Sequence, residues 1–328
     1  MTAFSHFKLW SIGGGKGGVG KSVFTLGLGI ALARLGKRVI LVDGDLGGAN
    51  LHTMVGLRYP PHTLEDFLLK KAPRLQDLVL DTPIAGVGLL CGADDMLGAA
   101  NPTYFQKIRL LRELETLPVD FVLIDLGAGT SFNTLDLFNH SPGRIAVFTG
   151  LSTSLQNAYG FIKCALFRKL SREFSRQIEV LQLLYEESAF GDRTTACMDD
   201  LLKKIRRAAP EQWFRLAKVI KSYQVYLVTN MVKNDQDMMS AEIIRSVCED
   251  FLNLHTEVLG HVLHDPIAEV AINQMVPSLL YERQNRLATG FTSIAKRILR
   301  LSRRLPGSKG PARKEEEQAP VVEVRREA

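Results

Sequence analysis

One glycine-rich segment near the amino terminus constrains this chain more than any other feature. Residues 15–22 read Gly-Lys-Gly-Gly-Val-Gly-Lys-Ser, which fits the pattern G-x-x-x-x-G-K-[ST]. An apolar run typical of a strand precedes this segment, and a run typical of a helix follows it. Glycines let the backbone curl so that successive N–H groups point at one anion, and a helix start adds its positive end. The segment therefore predicts a phosphate-binding loop between a strand and a helix.

The residue types of this loop indicate a nucleotide with its metal ion. We expect the Lys21 ammonium to neutralise the β- and γ-phosphates and the Ser22 hydroxyl to ligate Mg²⁺. ATP and Mg²⁺ are therefore the expected ligands. The residues expected to contact the nucleotide from this loop are Gly15, Gly17, Gly18, Val19, Gly20, Lys21 and Ser22.

Short apolar runs alternate with helical patterns along the chain. The predicted strands are Phe7–Ile12, Arg38–Val42, Val87–Cys91, Phe121–Ile124, Arg144–Phe148, Val180–Leu184, Val225–Thr229 and Val258–Val262. The clearest predicted helices are Ser22–Leu35, Thr103–Thr116 and Ala241–Leu252. This alternation predicts an α/β fold with a doubly wound, mostly parallel sheet and helices on both faces.

Two segments depart from that alternation. The charged, helix-rich segment Glu186–Ser222 is expected to be a helical insertion near the sheet edge. Residues 306–328 are rich in Pro, Gly, Lys, Glu and Arg, which predicts a disordered tail. The expected organisation is a P-loop domain over residues 1–305, followed by that tail.

Composition and charge exclude several other classes of protein. Hydrophobic residues make up 46% and charged residues 23% of the chain, which is enough apolar material for a large core. The four cysteines are far apart and form no CxxC pair, which argues against zinc, iron–sulfur and disulfide frameworks. Neither a signal peptide nor a good membrane span is visible. We therefore expect a cytoplasmic protein.

Two further predicted strands end in aspartate, where carboxylates of a parallel sheet face its ligand crevice. The strand at Arg38–Val42 runs into Asp43-Gly44-Asp45, and the strand at Phe121–Ile124 runs into Asp125. We expect Asp125 to hold the Mg²⁺ shell, as in the Walker B arrangement. For Asp43 and Asp45, a role as turn or cap residues remains the structural alternative.

The run from Gly14 to Ser22, with its KGGxGK[ST] core, resembles the deviant phosphate loop of the MinD/ParA family of P-loop ATPases. The resemblance implies that Lys16 crosses the interface of an ATP-dependent homodimer to the nucleotide of the partner subunit. It also implies that Asp45 orients the attacking water and that Asp43 contributes to the Mg²⁺ shell through water. Lys16, Lys21 and Asp45 are thus the expected catalytic residues.

The resemblance extends over about residues 7–300. Residues 126–129 look like the family's second switch, and Asn230 is the implied reader of the adenine edge, with a plain turn asparagine as the alternative. The segment 45–51 is most similar to flagellar-number regulators of the FlhG/FleN type. The implied function is a switch ATPase that controls the position or number of a cellular structure, such as flagella. An unidentified regulatory protein is its implied partner. The alternatives are a ParA-like DNA-binding partition ATPase and a nucleotide-binding scaffold without hydrolysis.

Basic residues define two further hypotheses about partners. Residues 287–305 form an amphipathic pattern whose opposite face is basic. Such a helix either packs its apolar face on the core or lies on the inner face of the cell membrane as a peripheral contact. Two basic clusters either are solvated helix faces or bind DNA non-specifically. They comprise Arg168, Lys169, Arg172 and Arg176 in one, and Lys203, Lys204, Arg206 and Arg207 in the other.

Overall fold

The computed structural model describes residues 8–45, 48–92, 102–189, 198–282 and 285–304. The strands are β1 (Leu9–Gly13), β2 (Val39–Asp43), β3 (Leu80–Asp81), β4 (Val87–Leu90), β5 (Phe121–Asp125), β6 (Gly143–Phe148), β7 (Val225–Val232) and β8 (Thr256–Leu263). They form one sheet in the order β3-β4-β2-β5-β1-β6-β7-β8. Every neighbouring pair is parallel except β3 and β4. The predicted mostly parallel sheet is confirmed.

Helices cover both faces of this sheet. They are α1 (Lys21–Arg34), α2 (Leu51–Met54), α3 (Leu64–Leu68), α4 (Tyr104–Thr116), α5 (Phe132–His140), α6 (Ser152–Glu173), α7 (Ile178–Ala189), α8 (Met198–Ala208), α9 (Pro210–Ser222), α10 (Asp235–Met238), α11 (Ser240–Leu252), α12 (Ile267–Asn273) and α13 (Arg286–Arg304). Short 3₁₀ turns lie at Leu75–Leu78 and Pro277–Tyr281.

The sheet separates two hydrophobic cores because successive strand residues point to opposite faces. Trp10 and Ile12 of β1 pack with α1 and α13 in one core. Leu9, from the same strand, belongs to the other core, with α4, α5, α6 and α11. All five residues of β1, of β2 and of β5 are buried. This double burial explains the near-continuous apolar runs in these strands.

The sheet register brings the ends of three strands to one place. Asp125 at the end of β5 pairs in register with Ile12 of β1 and with Asp43 of β2. The alignment continues beyond the strands, because the Gly44 N–H donates to the Asp125 carbonyl at 2.7 Å. The phosphate loop and both aspartates therefore share the carboxyl edge of the sheet, where ligands of such folds bind.

The predicted strand at Val180–Leu184 is wrong, because this segment lies inside α7. Val180 and Leu184 are buried four residues apart, whereas Glu179 and Tyr185 are exposed. That spacing places the two buried residues on one face of a helix. A short apolar run does not by itself distinguish a strand from a helix.

The predicted helical insertion is present as α7, α8 and α9, and its helices begin at Ile178, earlier than the expected Glu186. Residues 190–197 lie outside the described part of the chain. Helices α8 and α9 of the insertion bury Leu201, Ile205 and Leu216 in the same core as α6 and α11. The insertion therefore forms an outer layer over that helical face, beside the β7–β8 end of the sheet.

The apolar face of α13 packs on the core over the part of the helix that the structure describes. Leu287, Phe291, Ile294 and Ile298 are all at most 3% exposed. Phe291 lies so close to Gly27 of α1 that a Cβ on that glycine would overlap its ring. Membrane contact through this face would require the helix to leave the core, so the packing alternative accounts for residues 287–298. Leu305 and the predicted tail lie outside the described residues.

No helix in the described residues combines the length and the apolar character needed to cross a bilayer.

One carboxylate ties three helices together next to the first basic cluster. Asp136 of α5 accepts hydrogen bonds from Lys107 of α4 and from Arg168 and Arg172 of α6, at 2.7–3.0 Å. Burial disfavours the charge on Asp136, but these three donors outweigh burial and lower the pKa of the carboxyl to about 2. Arg168 and Arg172, which belong to a cluster considered for DNA binding, therefore have a partner within the protein.

We predict that Asp136→Asn lowers the free energy of unfolding by about 2 kcal/mol at pH 7. Because the pKa of Asp136 is lower in the folded state, its contribution is complete above pH 4 and disappears as the pH falls through 2. Urea denaturation at pH 7 and pH 3 measures the difference between variant and wild type. Asp200→Asn, which removes an exposed pair with Lys203, is the control and should not change the midpoint. An equal loss at both pH values would contradict the prediction.

Candidate functional site

The phosphate loop connects β1 to α1 through two glycines in the left-handed region. Gly18 and Gly20 have φ angles of 81° and 79°, which side chains rarely adopt. Gly20 is the N-cap of α1, and no side chain caps this helix start. The N–H groups of the first turn are therefore left for a ligand. A curled backbone followed by an uncapped helix start is an anion-binding arrangement.

The loop is supported from behind by β6 and by α6. A Cβ on Gly15 would overlap the carbonyl oxygen of Asn157 in α6. A Cβ on Gly14 would lie 2.7 Å from the carbonyl oxygen of Val147. By contrast, the Cβ positions of Gly17 and Gly18 face open space. The first two glycines thus allow close packing, and the later ones leave room at the ligand side.

Asn230, near the end of β7, supports the loop from a third direction. Its Nδ2 group donates to the carbonyl oxygen of Val19 at 2.9 Å and lies 3.4 Å from that of Gly20. The side chain is 5% exposed. The side-chain amide of Asn230 therefore donates its hydrogen bonds to the phosphate loop. This contact was not predicted from the sequence. The expectation that Asn230 reads the adenine edge stays a prediction.

The two lysines of the loop have opposite environments. Lys21 is buried, and its ammonium lies 3.5 Å from the Lys16 carbonyl oxygen. Burial lowers the pKa of Lys21, although the nearby Asp125 and Asp45 favour its charged form. The Lys16 side chain is exposed, and no carboxylate forms an ion pair with it among the residues the structure describes.

Asp125 lies at the base of the site with two hydroxyls against it. The hydroxyls of Ser22 and Thr25 both hydrogen-bond to its carboxylate, the latter at 3.2 Å. Thr25 was not expected there, although it follows Lys21 by one helical turn, which is the signal that could have revealed it. Asp125 is 4% exposed, and burial raises the pKa of its carboxyl to about 7.

Asp43 faces the loop that follows its own strand. Its carboxylate accepts hydrogen bonds from the backbone N–H groups of Asp45, Asn50 and Leu51, at 3.2, 2.9 and 2.9 Å. Burial raises the pKa of the Asp43 carboxyl to about 6, against these three donors. The side chain therefore holds the backbone at Asp45, Asn50 and Leu51 in place, and residues 46–47 lie outside the described part of the chain.

Asp45 lies against the predicted second switch segment, residues 126–129. Its carboxylate lies directly over Gly127, where a Cβ would be 2.9 Å from its Cγ and Oδ1 atoms. The side chain is half-buried, at the same edge as Asp125 and Lys21. Any residue larger than glycine at 127 would displace Asp45.

The carboxylate and hydroxyl oxygens around Asp125 fit Mg²⁺, which prefers hard oxygen ligands. Within the described ranges, no group of three or more His, Cys, Asp or Glu side chains is placed to hold a metal ion by itself, without water or phosphate ligands. Mg²⁺ commonly takes one or two carboxylates and completes its shell with water and substrate phosphates. Ser22 and Asp125 are thus the residues that would hold the ion.

A cavity of about 310 Å³ continues from the phosphate loop toward β7. Its volume lies in the range typical of small-molecule sites, about 300–1,000 Å³. The residues that line it are Lys16, Gly17, Gly18, Val19, Thr149, Gly150, Leu151, Thr153, Ser154, Asn157, Met231, Lys233, Asp237 and His264. The phosphate-binding edge and this cavity together have the extent expected for a nucleotide site.

Comparison with known proteins agrees with this geometry. A protein-family profile described as ParA, NUBPL iron-transfer P-loop NTPase, matches residues 8–182. The antiactivator FleN of Pseudomonas aeruginosa is 32% identical over 165 residues, which cover 50% of this chain and 58% of FleN. The septum site-determining protein MinD of Synechocystis is 38% identical over 117 residues, or 35% and 43% of the two chains. The chain spans about half the length of the curated relatives it matches.

Solved structures share the whole architecture. MinD of Pyrococcus horikoshii, complexed with Mg-ADP, has a TM-score of 0.62 and 21% sequence identity. The match covers 90% of this chain and 97% of that one. At this identity the likeness shows the fold.

We predict that Gly15→Ala destabilises the nucleotide-free protein, because the new methyl group would overlap the Asn157 carbonyl. Overpacking of this kind costs about 1–3 kcal/mol. Gly17→Ala is the matched control in the same loop, since its Cβ faces open space and should leave the melting temperature unchanged. Calorimetric unfolding without nucleotide compares the two variants. Equal melting temperatures would show that the backbone of Gly15 is not packed as described.

Proposed function

Since the chain belongs to the ParA/MinD family of P-loop NTPases, we propose that it is an ATP-hydrolysing switch whose ATP-bound form is a homodimer. ATP binding would join two subunits face to face, and hydrolysis would release them. The pair of lysines in the phosphate loop is the observation that carries this function.

Lys21 and Lys16 are suited to two different nucleotides. Lys21 is buried below its own loop, so its ammonium can reach only a phosphate bound in the same subunit. Lys16 is exposed on the outside of that loop and lines the open cavity. A cation in that position is free to stabilise charge on a phosphoryl group of a second subunit, as an arginine finger does.

Asp45 is the proposed catalytic carboxylate for hydrolysis. A water oriented by its carboxylate would attack the γ-phosphorus, and the bond to the bridging oxygen would break to give ADP and phosphate. Lys21 would neutralise the phosphate oxygens in its own subunit, and the contact between Asp45 and Gly127 would couple this step to the second switch segment. Mg²⁺, when held by Ser22 and Asp125, supplies positive charge for the phosphates.

Asp43 remains a proposed contributor to the Mg²⁺ shell through water. Three backbone N–H groups already use its carboxylate, which supports a second role as the residue that holds Asp45 in place. Both roles put Asp43 next to the reacting groups. The role in the Mg²⁺ shell depends on the charge of the Asp43 carboxylate, whereas the role in holding Asp45 depends on its hydrogen bonds.

In the cell, this switch would control the position or number of a structure through a regulatory partner. The resemblance to the antiactivator FleN supports flagella as the structure concerned. Iron–sulfur transfer is not part of the proposal, because the sequence contains no CxxC pair. DNA binding is less well supported, since Arg168 and Arg172 pair with Asp136, and Lys203 pairs with Asp200.

We predict that Lys21→Ala and Lys16→Ala separate binding from dimer formation. Lys21→Ala should weaken ATP binding by about 100-fold or more, because a charged hydrogen-bonded contact is lost. Lys16→Ala should keep most of the affinity, fail to dimerise with ATP and lose about 10³-fold in turnover. Calorimetry, light scattering and phosphate release measure the three properties. Lys218→Ala on α9 is the exposed-lysine control, and an ATP-bound Lys16→Ala dimer would contradict the assignment.

We predict that Asp45→Ala traps the ATP-bound dimer. Without the carboxylate the attacking water is no longer oriented, so turnover should fall by about 100-fold or more while binding survives. Size-exclusion chromatography with ATP and with ADP should then give a dimer only with ATP. Asp81→Ala on the edge strand is the control. Normal turnover by Asp45→Ala would show that another group orients the water, and no turnover by wild type at dimer-forming concentrations would favour the scaffold.

A further inference from the structure

A second cavity, of about 590 Å³, lies at the end of α1 that is remote from the phosphate loop. Arg34, the last residue of α1, lines this cavity, whereas Lys21 begins the same helix. At about 1.5 Å per residue, the 14 residues of α1 separate the two places by about 20 Å. No step of the proposed hydrolysis uses this cavity, so it is not part of the nucleotide site.

The lining of this cavity carries more positive than negative charge. Arg34, Arg286 and Lys296 supply three cations, and Glu282 supplies one carboxylate. Among the residues that the structure describes, no carboxylate forms an ion pair with any of these three cations. Arg297, the neighbour of Lys296 in the sequence, instead pairs with a glutamate at 3.3 Å. A concave surface with an excess of unpaired positive charge attracts anions.

Arg34 is held in place while most of its donors stay available. Its Nη1 donates to the carbonyl oxygen of Tyr281 at 3.0 Å, and the guanidinium lies over the Tyr281 ring, 5.0 Å from the centroid. Tyr281 is fixed in turn, because its hydroxyl donates to the Gly27 carbonyl at 2.8 Å and its ring stacks on Phe291. No second acceptor takes a hydrogen bond from this guanidinium within the described part of the chain. Such a pre-organised group suits the paired oxygens of a phosphate.

The outer face of α13 supplies further polar groups to the cavity. Arg286, Thr289, Ser293 and Lys296 follow one another at spacings of three and four residues, which places them on one face of the helix. All four are exposed and line the cavity. The opposite face of α13 is buried in the core, so the backbone that carries these four side chains is fixed. Two hydroxyls between two cations can donate hydrogen bonds to anionic oxygens.

We propose that this cavity binds a ligand that carries phosphate groups, with Arg34 and Lys296 contacting the phosphate oxygens and Thr289 and Ser293 donating hydrogen bonds to them. A phosphate group has several acceptor oxygens and more than one negative charge, whereas a single carboxylate would leave most of the positive charge unpaired. The phosphate belongs either to a free molecule or to the headgroup of an anionic lipid. This site does not depend on whether the phosphate loop binds ATP.

A role that is only structural makes a different prediction. Arg34, in the last turn of α1, would then stabilise the end of that helix and its contact with Tyr281. Arg34→Gln would lower the melting temperature, Lys296→Gln would change nothing, and neither would alter the affinity for an anion. Because Lys296 is exposed, Lys296→Gln keeps the proposal testable even if Arg34→Gln fails to fold.

The experiment is calorimetric titration of the full chain with inorganic pyrophosphate, without Mg²⁺, in a Lys21→Ala background that disables the phosphate loop. Lys21→Ala alone should bind pyrophosphate. Adding Lys296→Gln or Arg34→Gln should weaken this binding by about tenfold or more, because a hydrogen bond between charged groups is lost. Arg300→Gln, one turn further along α13 and outside the cavity lining, removes the same charge and is the matched control. It should change the affinity by less than about twofold.

A second arm identifies the source of the phosphate by co-sedimentation with lipid vesicles. If a headgroup is the source, the wild-type chain should sediment with phosphatidylglycerol vesicles and not with phosphatidylcholine vesicles. Lys296→Gln should then weaken vesicle binding about tenfold, and Arg300→Gln should not. Binding of pyrophosphate without binding of either vesicle identifies a free phosphorylated molecule. If Lys296→Gln behaves like Arg300→Gln with both probes, or if neither probe binds, the cavity is not a phosphate site, whatever the affinity of wild type for ATP.

Discussion

The site depends on one constraint: its backbone N–H groups must stay without internal partners and still be held rigid. An anion-binding loop that capped its own helix would have no donors left for phosphate. Here the support comes from behind the loop, through close packing of Gly15 on Asn157 and the hydrogen bond from Asn230 to Val19. The carbonyl oxygen of Val19 is used in this internal contact, whereas no side chain caps the N–H groups at the start of α1. The order β5-β1-β6-β7 places these supports around β1.

The same edge of the sheet holds ionisable groups in conditions that oppose their charge. Burial raises the pKa of Asp125 to about 7 and of Asp43 to about 6, and burial lowers the pKa of Lys21. A buried charge costs free energy in the absence of its ligand. This cost is a common property of binding sites, because groups selected for function are not those that maximise stability. Asp136, away from this edge, has the opposite balance and stabilises the fold.

Distance along the chain separates what could be predicted from what could not. The phosphate loop, the flanking strand and helix, and the aspartates at strand ends are local patterns, and the structure places them together as expected. The contact between Asn230 and Val19 joins residues 211 positions apart, and no local pattern indicates it. The strand predicted at Val180–Leu184 was wrong because a short apolar run is compatible with a strand or a helix. In the structure its two buried residues pack in the helical core as part of α7.

The sequence by itself determined the chemistry of the loop and the class of fold, because curled glycines, a lysine and a hydroxyl serve phosphate wherever they follow a strand. Tertiary structure alone decided which groups have partners inside the protein and which remain available to a ligand. It uses the carboxylate of Asp43 on three N–H groups and buries the apolar face of α13. It leaves the start of α1 without a side-chain cap, where a ligand can bind. Hydrogen-bond partners and burial depend on neighbours in space, which a single chain read in order does not specify.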